Sequence, residues 1–443
     1  MLFVLMTAAF HASAEHADAN GIRILQDNHE AFQARVDLIQ QASTEICVAC
    51  YVVDTGEVPI AVLELLRQAS QRGVKVRLLV DGLMSRLPTA FERYLCLHGV
   101  QTRVYHGTRH GKPMWLNRRL HDKLLIVDSH HLIIGSRNLR NDHFGLDKDN
   151  YIDCDAYLFG EIANESQAYF DRLWSSTDVQ APTDRDSMGL DVLSFRPKKK
   201  ACWAEAWRAA NCPSHYQSLL DQSIDRMVCR LGVQLDTGND WSAGAMHPAE
   251  TRLLHDCRSD KPSLQMQNGI VSLINSARSS LVIESPYPAF TKRVRDAITR
   301  ASDRGVRVSI LTNSLKTSDQ LSVFAAYQND KRRLLKHGIA LFEYCGDDGC
   351  LHAKSMLIDN HVAMIGSYNF DSRSDIYNLE VCVVVCGAAV AEALKQSTAE
   401  RMRKSRRISR DTLFLDTVYG DDKLRRVRLM FTRTCVEIYR KLL

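Results

Sequence analysis

The chain has 443 residues, of which 45% are hydrophobic and 25% are charged, and its formal net charge at pH 7 is only +5. These proportions are ordinary for a globular protein and exclude a low-hydropathy disordered chain. The length predicts two domains with substantial cores.

The chain begins with an apolar run, residues 2–10, that ends near Ala12-Ser13-Ala14. This run resembles a short signal peptide with a small-residue cleavage site, although it lacks a basic start. We therefore expect residues 1–20 to be a possible signal peptide or an N-terminal extension. No other stretch is long enough to span a membrane as a helix.

Thirteen scattered cysteines follow, a number that favours a reducing compartment. Cys47 and Cys50 lie in an apolar strand, and no second pair stands at metal-finger spacing, so we predict buried free thiols. This expectation and the signal-like start point to different compartments, and the sequence leaves both open.

The most informative feature is one pattern that occurs twice, H-x-K-x4-D-x6-G-S-x-N, with identical internal spacing. The two copies consist of His121, Lys123, Asp128, Ser136 and Asn138, and of His352, Lys354, Asp359, Ser367 and Asn369. One short match would be a modest hypothesis, but exact repetition argues strongly against coincidence. A histidine elsewhere, such as His98 or His337, is more often an ordinary core or surface residue.

Each copy predicts a buried strand whose histidine and lysine share a face, because strand side chains at i and i+2 point the same way. A lysine just inside an apolar strand is unfavourable unless it meets an anion. An imidazole, an ammonium and an amide suit a phosphate diester. Two copies face to face would let one imidazole attack phosphorus while the other protonates the leaving oxygen, a scheme that requires no metal.

The duplication extends beyond the motif. Residues 71–77 reappear as 303–309, and Leu97-His98-Gly99-Val100 reappears as Lys336-His337-Gly338-Ile339. Each half alternates helices and strands, which predicts an α/β fold. Asp153 and Glu380 each precede a glycine by seven residues, so we treat them as counterparts, although Asp149 and Asp155 are close enough to Asp153 to be confused with it.

The doubled pattern resembles the phospholipase D superfamily, the HKD enzymes. Flanking stretches resemble more narrowly the bacterial cardiolipin synthases of the C type and their phospholipase D-like relatives, over about residues 23–400. The flanks in question are 118–121, 135–138, 142–144, 153–155, 169–174 and 284–287. The resemblance implies two fused phospholipase D-like α-β-α domains related by a pseudo-twofold axis, each with a central mixed β-sheet. We expect these domains at 21–180 and 266–400, with a connector containing helical segments at 181–265.

The resemblance also implies roles for the repeated residues. His121 would be the nucleophile that forms a phospho-histidine, and His352 the general acid that later acts as base. The residues that would hold or support the phosphate oxygens are Lys123, Lys354, Asn138, Asn369, Ser136 and Ser367. Asp128 and Asp359 would brace the strands, and Asp153 and Glu380 would orient the histidines. No metal and no cofactor are expected.

The C-terminal residues 401–443 are rich in arginine, and apolar residues near helical spacing from Val427 to Ile438 predict a basic amphipathic tail. Such a tail could lie on an anionic bilayer or simply pack on its own domain. The expected partners are phospholipid substrates and a membrane surface, without nucleic acid, at the bacterial cell envelope. A secreted or periplasmic location is the alternative if the signal peptide is real.

Three activities remain open at this stage. The first is phosphatidyl transfer of the cardiolipin synthase type, and the second is phospholipase D hydrolysis with water as acceptor. The third is a nuclease-type phosphodiesterase, which the resemblance disfavours because such relatives are typically short one-motif chains that dimerise.

Overall fold

The computed structural model describes residues 20–105, 117–182, 213–256, 264–409 and the single position 432. The possible signal peptide, much of the connector and almost all of the predicted C-terminal tail lie outside these residues. Both copies of the repeated motif lie within the described ranges.

Two eight-stranded sheets form the centre of the protein. The described residues of the first half contain β1 (Gly21–Leu25), β2 (Glu45–Cys50), β3 (Lys75–Asp81), β4 (Val100–Tyr105), β5 (Lys123–Val127), β6 (His131–Gly135), β7 (Tyr151–Ile152), β8 (Asp155–Phe159) and β9 (Val179–Gln180). Those of the second half contain β10 (Glu250–His255), β11 (Ser280–Glu284), β12 (Arg307–Asn313), β13 (Ala340–Tyr344), β14 (Cys350–Leu351), β15 (Ser355–Ile358), β16 (Val362–Gly366), β17 (Val381–Cys386) and β18 (Ser405–Ile408).

Helices pack on both faces of the sheets. The first half has α1 (Asn28–Gln41), α2 (Glu57–Gln71), α3 (Thr89–Leu97) and α4 (Glu161–Trp174), followed by α5 (Pro213–Asp221) and α6 (Ser223–Leu231) from the connector. The second half has α7 (Gln265–Ser276), α8 (Lys292–Asp303), α9 (Leu321–Lys336), α10 (Ser372–Ile376) and α11 (Ala388–Arg403). None of these helices is long and apolar enough to cross a membrane.

The two sheets have the same strand order. The first runs β1-β8-β6-β5-β2-β3-β4-β9 and the second β10-β17-β16-β15-β11-β12-β13-β18. In both, three central strands are parallel and joined through helices, while the remaining neighbours pair antiparallel. Crossover helices are what parallel pairing requires. The predicted pair of α/β domains with mixed sheets is therefore confirmed.

Alternation along the strands explains why both faces of each sheet are buried. In β5, Leu125 and Val127 pack against the helices of their own half, whereas Leu124 and Ile126 face a second apolar layer. That layer also contains Ile365 of the second half, together with other side chains of β16, β17 and α11. The two sheets thus pack on each other through one shared core, and continuous apolar strands are the expected sequence signature of such double burial.

The second sheet extends beyond the predicted limits of 266–400. Strand β10 pairs with β17, and β18 pairs with β13 at the opposite edge. Residues 401–409 therefore finish helix α11 and add an edge strand, which corrects the prediction that the amphipathic tail begins at residue 401. Arg401 is buried and donates two hydrogen bonds to Glu284, at 2.5 and 2.8 Å, because a buried guanidinium needs a paired anion.

The described part of the connector from residue 213 to residue 241 packs on the first half. The Tyr216 ring stacks on Phe91 with centroids 4.6 Å apart, and Trp241 Nε1 donates to Asp37 at 2.9 Å. Cys47 and Cys50 are buried and unpaired, as predicted. Burial raises the pKa of the Cys47 thiol to about 12, so this thiol is inert at neutral pH.

Candidate active site

The two motifs meet where the halves face each other. The backbone N–H of His121 donates to the carbonyl of Leu379 at 3.0 Å, and that of His352 donates to the carbonyl of Ile152 at 2.8 Å. Leu379 and Ile152 immediately precede Glu380 and Asp153. Each histidine is therefore held by the opposite half, beside the acid of that half.

The first histidine pairs with the acid of the second half. His121 Nδ1 lies 2.9 Å from Glu380 Oε2, which also accepts from the Ser367 hydroxyl at 2.5 Å. The other carboxylate oxygen accepts from Ser374 Oγ at 2.6 Å and from Asn378 Nδ2 at 3.1 Å. All four hydrogen bonds reach a fully buried carboxylate, so the acid has a single fixed orientation.

The second histidine pairs with the acid of the first half in the equivalent way. His352 Nδ1 lies 2.7 Å from Asp153 Oδ1, which accepts from the Ser136 hydroxyl at 2.6 Å. His143 Nδ1 lies 2.7 Å from the other oxygen, Oδ2. The predicted orienting acids are thus next to the histidines, but each acid contacts the histidine of the other motif.

These contacts set the tautomer of both motif histidines. A carboxylate accepts hydrogen bonds, so the proton sits on Nδ1 and the lone pair on Nε2. Burial lowers the pKa of His121 to about 4, although the charge of Glu380 acts to raise it. At neutral pH His121 is therefore an uncharged imidazole with a free lone pair, the form in which an imidazole can attack phosphorus.

The other titratable groups of the site respond to the same burial. Burial, reinforced by the charge of Lys354, lowers the pKa of His352 well below its ordinary value. Burial acts to raise the pKa of Asp153 and of Glu380, but the neighbouring imidazoles outweigh it and keep both acids ionised. Each pair is therefore a neutral imidazole beside a carboxylate when no substrate is bound.

The two motif lysines lie in the same buried region. Lys123 Nζ donates to the carbonyl of His121 at 2.6 Å, and Lys354 Nζ donates to that of His352 at 2.5 Å. Burial lowers the pKa of Lys354 to about 7 and also lowers that of Lys123. A buried ammonium has three N–H groups, so one carbonyl leaves capacity for an anion that would restore the full charge.

The motif amides differ in their surroundings. Asn138 Oδ1 accepts from the Val52 N–H at 3.3 Å, and Asn138 Nδ2 lies 3.2 Å from His143 Nε2. Asn369 is also buried, yet its Oδ1 has no hydrogen-bond partner within the described residues. The serines of the motifs donate to the orienting acids, Ser136 to Asp153 and Ser367 to Glu380.

The motif aspartates lie at the far ends of their strands. Asp128 accepts hydrogen bonds from the backbone and hydroxyls of Ser43 and Thr44 and from the Glu45 N–H, all between 2.7 and 2.9 Å. Asp359 makes the equivalent contacts with residues 278–280. Burial acts to raise the pKa of Asp128, but these donors lower it to about 2. Both aspartates brace a loop and do not face the histidines.

We expect Asp128→Asn to lower the free energy of unfolding by about 2 kcal/mol, because an amide nitrogen would oppose donors that the carboxylate satisfies. Turnover of the folded protein should be unchanged. Chemical denaturation monitored by circular dichroism measures the difference, with exposed Asp149→Asn as the matched control. An unfolding midpoint equal to that of the control variant would refute the bracing role.

Some residues of the site carried no prediction. His143 contacts Asp153, the edge of the Tyr51 ring packs on His121 at 4.7 Å, and Tyr151 lies 4.9 Å from the His352 ring. The repeated spacing could have identified His143, because it follows Ser136 by seven residues just as Ser374 follows Ser367. Tyr51 directly follows β2 and Tyr151 begins β7, and neither shows a comparable pattern.

Among the described residues, His143, Asp153 and His352 form the group that could offer three metal ligand atoms, all within 4.8 Å of one another. Each imidazole Nδ1 of this group already lies 2.7 Å from a carboxylate oxygen. A metal ion at this position would have to displace the protons of both hydrogen bonds. The geometry is that of an Asp shared by two imidazoles.

Comparisons with known proteins agree with this geometry. Residues 36–174 and 270–402, more than half of the chain, match the family described as "Cardiolipin synthase, PLD-like domain". Cardiolipin synthase C of Escherichia coli is 26% identical over 425 residues, covering 88% of this chain and 86% of its own. A cardiolipin synthase of Oceanobacillus iheyensis is 24% identical over 400 residues, covering 90% and 72%.

The fold has a solved counterpart. The crystal structure of phosphatidylserine synthase from Haemophilus influenzae Rd KW20 superposes with a TM-score of 0.66 at 14% identity, covering 96% of this chain and 98% of that one. At this identity the likeness concerns the fold alone. The family match, together with the paired motifs, shows that the chain belongs to the PLD-like domain family of cardiolipin synthases and is an enzyme of the phospholipase D superfamily.

Proposed function

We propose that this enzyme transfers a phosphatidyl group from a glycerophospholipid to the hydroxyl of a second lipid, as a cardiolipin synthase does. The observation that carries the proposal is the pair of buried histidines, each oriented by the acid of the other half and each accompanied by a buried lysine. The names of its relatives support a phospholipid as substrate.

In the first step, His121 Nε2 attacks the phosphorus of the donor lipid and the bond from phosphorus to the headgroup oxygen breaks. His352, protonated in the substrate complex, gives its Nε2 proton to that oxygen, so the headgroup leaves as an alcohol. The phosphatidyl group is then attached to His121. Lys123, Lys354 and the motif amides stabilise the charge on the non-bridging oxygens.

The lowered pKa values of the buried histidines and lysines fit this sequence of steps. A bound phosphodiester brings a negative charge next to His352 and Lys354, and an opposite charge favours the protonated form of both groups. His352 therefore gains its proton when the donor binds. His121, whose pKa is about 4 in the free protein, keeps its lone pair because the carboxylate partner holds its proton on Nδ1.

In the second step, a hydroxyl oxygen attacks the phospho-histidine, its proton passes to His352, and the bond between phosphorus and His121 breaks. If the hydroxyl belongs to a lipid such as phosphatidylglycerol, the product is cardiolipin. If it belongs to water, the product is phosphatidic acid. Phospholipase D hydrolysis, the second candidate, thus uses the same residues and differs only in the acceptor.

Lipid substrates imply that the enzyme works at a membrane surface, which we include in the proposal. A nucleic-acid phosphodiesterase would use the same histidines. Relatives named as cardiolipin synthases cover 87–90% of this chain, however, and that extent of similarity favours a lipid substrate.

The test is to incubate the purified protein with isotope-labelled phosphatidylglycerol and phosphatidylethanolamine, alone and mixed, and to identify products by mass spectrometry. Cardiolipin would support transfer, and phosphatidic acid alone would support the hydrolase. Cleavage of an oligonucleotide with no lipid turnover would overturn the lipid assignment. His121→Ala serves as the inactive control.

We expect chelation of divalent ions to leave the initial rate within about twofold of the untreated rate, because imidazoles and ammonium groups supply the nucleophile, the acid and the charge stabilisation. The measurement compares turnover in detergent-dispersed lipid with and without EDTA, which keeps ion effects on bilayers out of the result. Loss of activity on chelation, with recovery on adding one divalent ion, would contradict the mechanism.

A further inference from the structure

The pseudo-symmetry of the site breaks at one pair of residues. Ser374 and His143 hold equivalent positions, seven residues after the motif serines. Ser374 donates to the second oxygen of Glu380 at 2.6 Å, and His143 donates to the second oxygen of Asp153 at 2.7 Å. At this position a hydroxyl holds the acid beside His121, whereas an imidazole holds the acid beside His352.

His143 is itself held firmly. It is 1% exposed, its ring stacks on Tyr151 with centroids 4.6 Å apart, and its edge faces the ring of His352 at 4.9 Å. Its carbonyl accepts from Arg137 Nε at 3.1 Å. A ring enclosed on these sides has one orientation, and that orientation aims Nδ1 at Asp153.

The hydrogen bonds around His143 form a chain with one direction. The Val52 N–H donates to Asn138 Oδ1 at 3.3 Å, which leaves Asn138 Nδ2 to donate to His143 Nε2 at 3.2 Å. His143 Nδ1–H then donates to Asp153, whose other oxygen accepts from His352 Nδ1. A backbone N–H at the start and a carboxylate at the end determine the tautomer of His143 in between.

The second half has no equivalent chain within the described residues. Asn369 corresponds to Asn138, but its Oδ1 is without a partner, and the hydroxyl of Ser374 hydrogen-bonds the Asn369 backbone N–H at 3.2 Å rather than its amide group. Only the His352 side therefore joins a motif amide, an extra imidazole and the orienting acid.

We propose that His143 is a positioning residue that ties Asn138 to Asp153 and thereby holds His352 in line for proton transfer to the leaving group. The inference rests on the proposed function, in which His352 is the general acid. Proton transfer requires Nε2 of His352 to point at the leaving oxygen, and that direction is set by the acid on the opposite nitrogen. An acid bound at both oxygens cannot turn away.

The test compares two phosphatidyl donors that differ in their need for a proton. A natural alcohol headgroup leaves only when protonated, whereas p-nitrophenol leaves readily as the anion. We expect His143→Ser, which copies the residue of the other half, to lower the single-turnover rate of headgroup release about 100-fold with the natural donor and less than about threefold with the p-nitrophenyl ester. Single-turnover rates isolate the first step, because the later step needs His352 as base with either donor. The donor concentration that gives half of the maximal single-turnover rate should stay close to that of the parent for both donors.

The matched control is His337→Ser, which removes a partly exposed histidine whose Nδ1 also lies 2.7 Å from an aspartate, Asp303. This control should retain the parent rates with both donors. Equal losses with the two donors in the His143 variant would overturn the inference, because they would show a general loss of structure or of nucleophilic attack. Unchanged rates would overturn it as well.

A second measurement does not depend on turnover. NMR of the parent protein labelled with ¹⁵N-histidine reports the tautomer of each imidazole. The resonances of His143 are assigned by their absence in His143→Ser, and the hydrogen-bond chain requires the Nδ1–H tautomer. Finding the Nε2–H tautomer would overturn the inference even if the enzyme proved to use other substrates. If the parent protein turned over no phospholipid, the proposed function would fail. The tautomer measurement would still show whether the hydrogen-bond chain through His143 exists.

Discussion

His121→Ala is expected to abolish turnover, with a loss on the order of 10⁴- to 10⁶-fold, because the proposed nucleophile cannot be replaced by a neighbour. His352→Ala should lose a similar factor with natural lipids, since the headgroup oxygen would leave unprotonated. The two variants should nevertheless differ with a p-nitrophenyl donor. His352→Ala should then accumulate a phospho-histidine, and His121→Ala should form none.

Rapid acid-free quenching followed by peptide mass spectrometry locates the modified residue. We expect the phosphatidyl or phosphoryl group on the peptide that contains His121. His337→Ala is the control for a histidine outside the site and should behave as the parent protein. Modification at His352 would reverse the two roles. Because the two copies of the motif are nearly equivalent, this outcome is the most direct challenge to the assignment.

Glu380→Gln is expected to lower kcat by about 10²- to 10⁴-fold while the protein stays folded. Glutamine can keep a carbonyl oxygen towards His121 Nδ1 if its amide nitrogen faces Ser374 and Asn378. The Ser374 hydroxyl can accept as well as donate, and Asn378 Oδ1, which has no partner among the described residues, can accept once that amide turns. The shape is then kept and the negative charge is lost. The imidazolium that develops at His121 on phosphorylation would lose its counterion, so formation of the intermediate should slow.

The crossed contacts make this prediction specific. Although Glu380 belongs to the second half, its substitution should slow the step that depends on His121, whereas Asp153→Asn should slow the step that depends on His352. Single-turnover kinetics with the p-nitrophenyl donor separates these effects, because that leaving group needs no acid. If Glu380→Gln left intermediate formation untouched, the pairing seen in the structure would not operate in the reaction.

Much of the fold followed from local sequence patterns. The apolar runs after each histidine predicted buried strands, and the repeated segments at 71–77 and 303–309 predicted that each half would have the same order of elements. Both features are local, because strand burial and helix periodicity are encoded within a few residues. The two matching sheets confirm these predictions.

Local sequence patterns did not predict the limits of the second domain. Strands β10 and β18 lie outside the predicted range because their residues show no strong alternation and are ordered by pairing with β17 and β13. Pairing at a sheet edge depends on partners far away in sequence. The same long-range contact buries Arg401 against Glu284, which a run of basic residues cannot reveal.

The sequence by itself predicted which side chains carry the chemistry, because the spacing of His121, Lys123 and Asn138 is repeated in the second half. It also identified Asp153 and Glu380 as counterparts. Only the tertiary structure decided that each acid serves the histidine of the other half, across 199 and 259 residues of chain, and that His143 joins one pair but not the other. Spacing along a strand is a local property, whereas the packing of two sheets on a shared core sets which residues meet between them.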